Sequence, residues 1–161
     1  MSSSSNEPPV PWLSAAEQEV WRNFLRLSRG MERAVDRQLQ RDSELSGSEY
    51  DILVPLSEAA SGELPSRELL RGLGWERSRL SHMLSRMERR DMLRRSPSPT
   101  DGRGLVVAIT DHGREAIGRA APAHLAMVRE ALVDHLSQDE KSALLSIARK
   151  VLPRLAAMGL A

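Results

Sequence analysis

Between residues 64 and 110 two kinds of local pattern alternate at a spacing that admits few folds. A short helix-prone run over residues 67–71 is stopped by Gly72-Leu73-Gly74, and a longer one follows over residues 76–90. In the longer run Leu80, Leu84 and Met87 return at three- and four-residue steps, the period of one helical face. Two short β-prone runs come next, residues 93–96 and 105–109, on either side of Pro97-Ser98-Pro99-Thr100-Asp101-Gly102-Arg103-Gly104. Strands flanking a turn-rich loop make a β-hairpin with a long tip. Helix, tight glycine turn and helix is the helix-turn-helix layout, here followed by a hairpin.

Longer helices flank this middle, and three Ser-x-x-Glu boxes set where helices start. In such a box the hydroxyl and the carboxylate satisfy amide donors that the first helical turn leaves unpaired. Ser14 with Glu17 opens a helix whose stripe is Val20, Phe24, Leu27, Met31, Val35 and Leu39. Ser46 with Glu49 opens a second, with Leu45 and Tyr50 placed to close over its cap, and with Pro55 expected to bend it. Thr110 caps a long helix carrying Ile117, Ala121, Leu125, Val128 and Leu132. Ser137 with Glu140 opens the last, with Leu144, Ile147, Ala148, Val151, Leu155 and Met158. The expected fold is mainly α with a small β-hairpin.

Charge is unevenly spread. The net charge is +1, yet residues 67–103 hold ten Arg against five Asp or Glu, which leaves −4 for the rest of the chain. A basic segment in an otherwise acidic chain is the electrostatic footprint of a nucleic-acid-binding element. The competing reading is a solvated, salt-bridged surface. Of 23 basic residues 21 are Arg, a bias that a GC-rich genome also produces.

The run from Leu73-Gly74-Trp75 through Arg77-Ser78-Arg79-Leu80-Ser81-His82-Met83-Leu84 to Arg90-Asp91-Met92-Leu93 resembles the recognition-helix signature of the MarR family. Asp101-Gly102-Arg103-Gly104-Leu105-Val106-Val107 with Thr110-Asp111-His112-Gly113-Arg114 resembles that family's wing signature, and Glu49-Tyr50-Asp51-Ile52-Leu53 adds a third fragment. The similarity runs over about residues 20–155. It implies a winged helix-turn-helix homodimer with intertwined terminal helices, a palindromic operator in double-stranded DNA, and frequent relief of repression by small aromatic anions. One departure stands out: the family commonly has Gly where Asp91 ends the recognition helix, at a left-handed position that Asp tolerates better than most residues. With no cysteine in the chain, the family's thiol sensors are no guide to it.

An α-helix fits the major groove, with side chains near its N-terminal end reaching base edges. The expected DNA contacts are Arg77, Ser78, Arg79, Ser81, His82, Ser85 and Arg86 on the helix and Arg95 on the following strand. Arg reads guanine bidentately, while Ser and His donate to phosphates or bases. At the wing tip, Arg103 suits a narrow, electronegative minor groove, and the resemblance gives Asp101 the part of orienting it. Trp12, Trp21, Tyr50 and Asp51, with Arg22, Arg26 and Arg29, are candidates for a pocket that holds an aromatic carboxylate. The plainer readings are core aromatics, surface ion pairs and, at the tip, an ordinary Asp-Gly turn.

Other classes are disfavoured. His82, His112, His124 and His135 are too far apart for paired ligands on one helical face, and no phosphate-cradling loop or nucleophile elbow occurs. No metal, cofactor or enzymatic activity is expected. A winged-helix protein-interaction module is the alternative, but it would show an acidic or apolar face where this one is basic. No apolar run approaches the roughly 20 residues of a membrane span, and the Ser/Pro-rich start has no secretory pattern. The expected setting is cytoplasmic, without membrane contact. The expected organisation is a disordered arm over 1–13, dimerisation helices over 14–45 and 111–161, and a DNA-binding lobe over 46–110.

Overall fold

The computed structural model describes residues 11–99 and 104–159. Its elements are α1 (Ala15–Asp42), α2 (Gly47–Glu58), β1 (Glu63–Pro65), α3 (Ser66–Leu73), α4 (Arg77–Arg89), β2 (Leu93–Pro97), β3 (Leu105–Ile109), α5 (Asp111–Ala131) and α6 (Gln138–Ala157). All three capping boxes form, at Ser14, Ser46 and Ser137. Thr110 accepts the Gly113 N–H at the start of α5. Leu45 and Tyr50 are both buried, as a hydrophobic staple over the α2 cap requires. α2 continues through Pro55, which denies the Asp51 carbonyl its usual helical donor.

The hairpin is part of a three-stranded antiparallel sheet in the order β1-β3-β2. Leu93 pairs with Ile109 and Pro97 with Leu105, while Glu63, Leu64 and Pro65 lie opposite Ala108, Val107 and Val106. Local sequence hides β1, because three residues ending in Pro make no strand signal until β3 is beside them. α3 also ends later than the glycines implied. Gly72 lies inside it with open space around its α-carbon, and Gly74, at φ 62°, makes the stop.

At the end of α4 the Asp91 N–H bonds to the Glu88 carbonyl and the Met92 N–H to the Met87 carbonyl. This is a Schellman cap, and it holds Asp91 at φ 53°, the left-handed conformation expected of it. The Thr110 hydroxyl donates to the Asp91 carbonyl, so the end of α4 is tied to the start of α5.

The core draws on α1 to α5 and the sheet. Leu39, Ile52, Leu53, Leu56, Leu69, Met87, Met92, Leu93 and Val107 are essentially without solvent contact. The first half of α5 belongs to this core through Ala116, Ile117 and Ala120, and the end of α1 through Leu39. Much of the remainder of the terminal helices is exposed. Val20, Trp21, Phe24 and Leu27 on α1, and Leu144, Leu145, Ile147, Val151 and Leu152 on α6, are exposed large hydrophobics, and α6 buries no residue. One stripe on α1 thus has two environments, core at its end and solvent at its beginning.

Candidate nucleic-acid interface

At 3.6 residues per turn, the side chains of α4 sort into a buried face and three exposed sectors. Leu80, Leu84 and Met87 are the buried face. Directly opposite project Ser78, His82, Ser85 and Arg89. Of these, Ser78, His82 and Arg89 are exposed, and Ser85 is half-buried, with its hydroxyl bonded to the Ser81 carbonyl. Arg89 has no ion-pair partner among the described residues, and sequence reasoning missed it. Its signal was the seven-residue step from His82.

One flank of α4 faces the start of α2. Arg79 donates to the Ser48 hydroxyl at 3.3 Å, and its guanidinium lies 4.1 Å from the centre of the Trp75 ring. Arg90 donates to Glu49 at 2.6 Å and to the Glu44 carbonyl at 2.9 Å. Arg86 stands 3.7 Å from the same Glu49 oxygen. Burial alone would push the Glu49 carboxyl up, but the Ser46 amide and hydroxyl together with Arg90 outweigh it and hold it below its ordinary value. Arg79 and Arg86, expected to contact DNA, are therefore partly engaged with the protein itself.

The other flank carries Arg77 and Ser81. With Ser66, Arg67, Arg95 and Leu105 they line a cleft of about 400 Å³ between α3, α4 and the sheet. Arg95 is mostly covered: it grips Glu88 through two guanidinium nitrogens at 2.6 and 3.0 Å, and its backbone N–H donates to the same carboxylate. That pair fastens β2 to α4 and depresses the Glu88 carboxyl. Asp101 and Arg103, expected at the wing tip, lie outside the described residues.

The residues considered for an aromatic ligand fall into two groups. Tyr50 is buried with its ring 4.5 Å from that of His124, and Asp51 is beside it on α2. Surrounding protein raises the Asp51 carboxyl, against the pull of Arg79 and His124 and with Asp36 adding to the rise. Burial lowers His124, whose Nδ1 is buried without a hydrogen-bond partner. The second group is on the first half of α1. Trp12 is almost fully exposed, Trp21 stacks with Phe24 at 6.1 Å, and Arg22 bonds to Gln18. Arg26 and Arg29 are also exposed there. Fifteen residues separate Trp21 from Asp36, about 22 Å along α1, so a single chain does not bring the two groups together. His124 was missed as a partner of Tyr50, although it continues the Gly113, Ile117, Ala120 face of α5.

A basic helix presented by a helix-turn-helix beside a small sheet and its loop defines a winged-helix DNA-binding protein. Comparison with known proteins narrows the class. A sequence model of the MarR family matches residues 43–104. The HTH-type transcriptional regulator PecS of Dickeya dadantii (strain 3937) is 30% identical over 127 residues, covering 78% of this chain and 75% of PecS. Among solved structures, Sco3205, a MarR family transcriptional regulator from Streptomyces coelicolor crystallised with DNA, is 38% identical with a TM-score of 0.86, covering 94% of this chain and 93% of that one. AbsC, a MarR family regulator from the same organism, is 32% identical with a TM-score of 0.86, covering 92% and 99%. The chain belongs to the MarR family of transcriptional regulators, which are DNA-binding proteins and not enzymes. No helix among the described residues is long and apolar enough to cross a membrane.

Proposed function

We propose that this regulator is a homodimeric repressor that seats two α4 helices in successive major grooves of a palindromic operator and is released by a small aromatic anion. The observation that carries the DNA-reading part is the outward sector of α4. Ser78 and His82 offer hydrogen-bonding groups opposite the core, and Arg89 and Arg77 are exposed cations with no ion-pair partner among the described residues. Arg103 on the wing takes the minor groove beside each half-site. The uncovered faces of α1 and α6 support the dimer, since burying them across a two-fold axis sets the half-sites about one DNA turn apart. The Tyr50, Asp51 and His124 seam, supplemented by Trp21 and Arg22 from the second copy, is the proposed ligand region.

The test is a footprint on DNA upstream of the protein's own gene, with and without salicylate-like acids. Two protected, symmetry-related half-sites, lost on adding the acid, are expected. Protection without symmetry would remove the palindrome, and indifference to a broad panel of aromatic acids would remove the ligand. Arg103→Ala should reduce affinity most for operators with A·T-rich flanks, where the minor groove is narrow. Equal binding to A·T-rich and G·C-rich flanks by parent and variant would leave the wing without that role.

A further inference from the structure

Among the described residues Glu49 is one of two buried polar or charged side chains, and its two oxygens have divided tasks. Oε2 accepts the Ser46 N–H at 2.9 Å and the Ser46 hydroxyl at 3.1 Å, closing the cap of its own helix. Oε1 is turned to α4, where Arg90 donates to it at 2.6 Å and Arg86 stands 3.7 Å away. The cap and Arg90 hold the carboxylate in place and ionised. Arg86 is held far less firmly. Half of its side chain is exposed, it makes no closer ion pair among the described residues, and it lies on the helix proposed to meet DNA.

We propose that Glu49 is a positioning residue for DNA binding: anchored by Arg90, it competes with DNA phosphates for Arg86 and so suppresses sequence-independent binding. This rests on reading α4 as the DNA-binding helix, but not on a palindromic operator or a ligand. The physical basis is the difference between phosphate and base contacts. Phosphate contacts strengthen binding to every sequence alike, whereas discrimination comes from base edges. A guanidinium retained by a buried carboxylate adds little to the first kind, and the Ser78 and His82 sector is left to supply the second. α4 can then be rich in Arg without binding all duplexes tightly.

Glu49→Gln separates this role from a structural one. Gln keeps a carbonyl oxygen for the Ser46 cap but turns an amide donor towards the two guanidinium groups, which frees Arg86. Binding to a random-sequence duplex is measured across a salt series, and folding is checked by thermal unfolding. The variant should bind random DNA roughly three- to ten-fold more tightly at low salt, with a log–log salt slope steeper by about 0.9, one phosphate contact. Arg86→Gln placed in the Glu49→Gln background should restore the parental slope. Glu49→Asp, which draws the carboxylate back from Arg86, should shift the slope the same way by less, and it serves if the Gln variant does not fold. A folded Gln or Asp variant with the parental slope, or with weaker binding to every duplex, would overturn the proposal. Failure of the palindromic reading would show instead as an unsymmetrical footprint by the parent protein.

Discussion

Asp91 shows how a single residue can be legible in sequence and still depend on its neighbours. Its position after α4 calls for a left-handed backbone, and the two Schellman hydrogen bonds with the Thr110 hydroxyl hold it there. Asp91→Ala should lose about 1 kcal/mol, the penalty a Cβ meets in that conformation without a helpful polar side chain. Asp91→Gly should be neutral or stabilising. Paired denaturant titrations check both, and an Ala variant as stable as the Gly variant would mean that the cap holds little strain. His124 works through charge. Burial depresses its pKa, so below the ordinary imidazole value of 6.5 the unfolded chain takes up a proton more readily than the folded one. Its contribution is complete above that value and is lost as pH falls through it towards the lower folded value. The melting temperature should therefore drop between pH 7.5 and 5.5, and His124→Phe, which keeps an aromatic ring against Tyr50, should drop less. Parallel melts in matched buffers decide it.

At the scale of elements, the joint between the sheet and α5 is closely packed. A Cβ added at Gly113 would run into the Met92 backbone carbonyl, which cannot yield as a flexible side chain would. Gly113→Ala should cost about 1–3 kcal/mol as an overpacking change. The effect is visible as a lower melting temperature, with DNA affinity retained at temperatures where the variant is still folded. A variant that melts like the parent would show that α5 can shift away from Met92. Helix starts were legible because the boxes at Ser14, Ser46 and Ser137 are local devices, each completed within four residues. β1 and the true end of α3 were not, since one needs β3 alongside it and the other depends on which of two glycines adopts positive φ.

For the whole molecule, the exposed apolar faces of the terminal helices are the feature with the largest consequence. Ile147 and Val151 are one turn apart on α6, 56% and 43% exposed, and they belong to an apolar face of α6 that lies outside the lobe's core. Ile147→Glu with Val151→Glu should convert a dimer into a monomer in light scattering, with operator affinity falling at least ten-fold because only one half-site remains engaged. The lobe should keep its cooperative unfolding, as neither residue contributes to its core. A dimer that survives both charges would place the interface elsewhere.

The sequence by itself determined what depends on short-range chemistry. Capping boxes, the helical period of Leu80, Leu84 and Met87, the left-handed Asp91 and the basic balance of residues 67–103 are all properties of neighbours along the chain. Together they identified the winged helix-turn-helix arrangement and the basic helix that we propose faces DNA. Tertiary structure decided which arginines of this basic segment are available. Glu49, Ser48 and Glu88 are polar residues of other segments or other turns, and they engage Arg90, Arg79 and Arg95, with Arg86 drawn towards Glu49. A count of charges in sequence treats these cations as equal. They differ because a carboxylate's hold on a guanidinium depends on distance and burial, and both are properties of the folded chain.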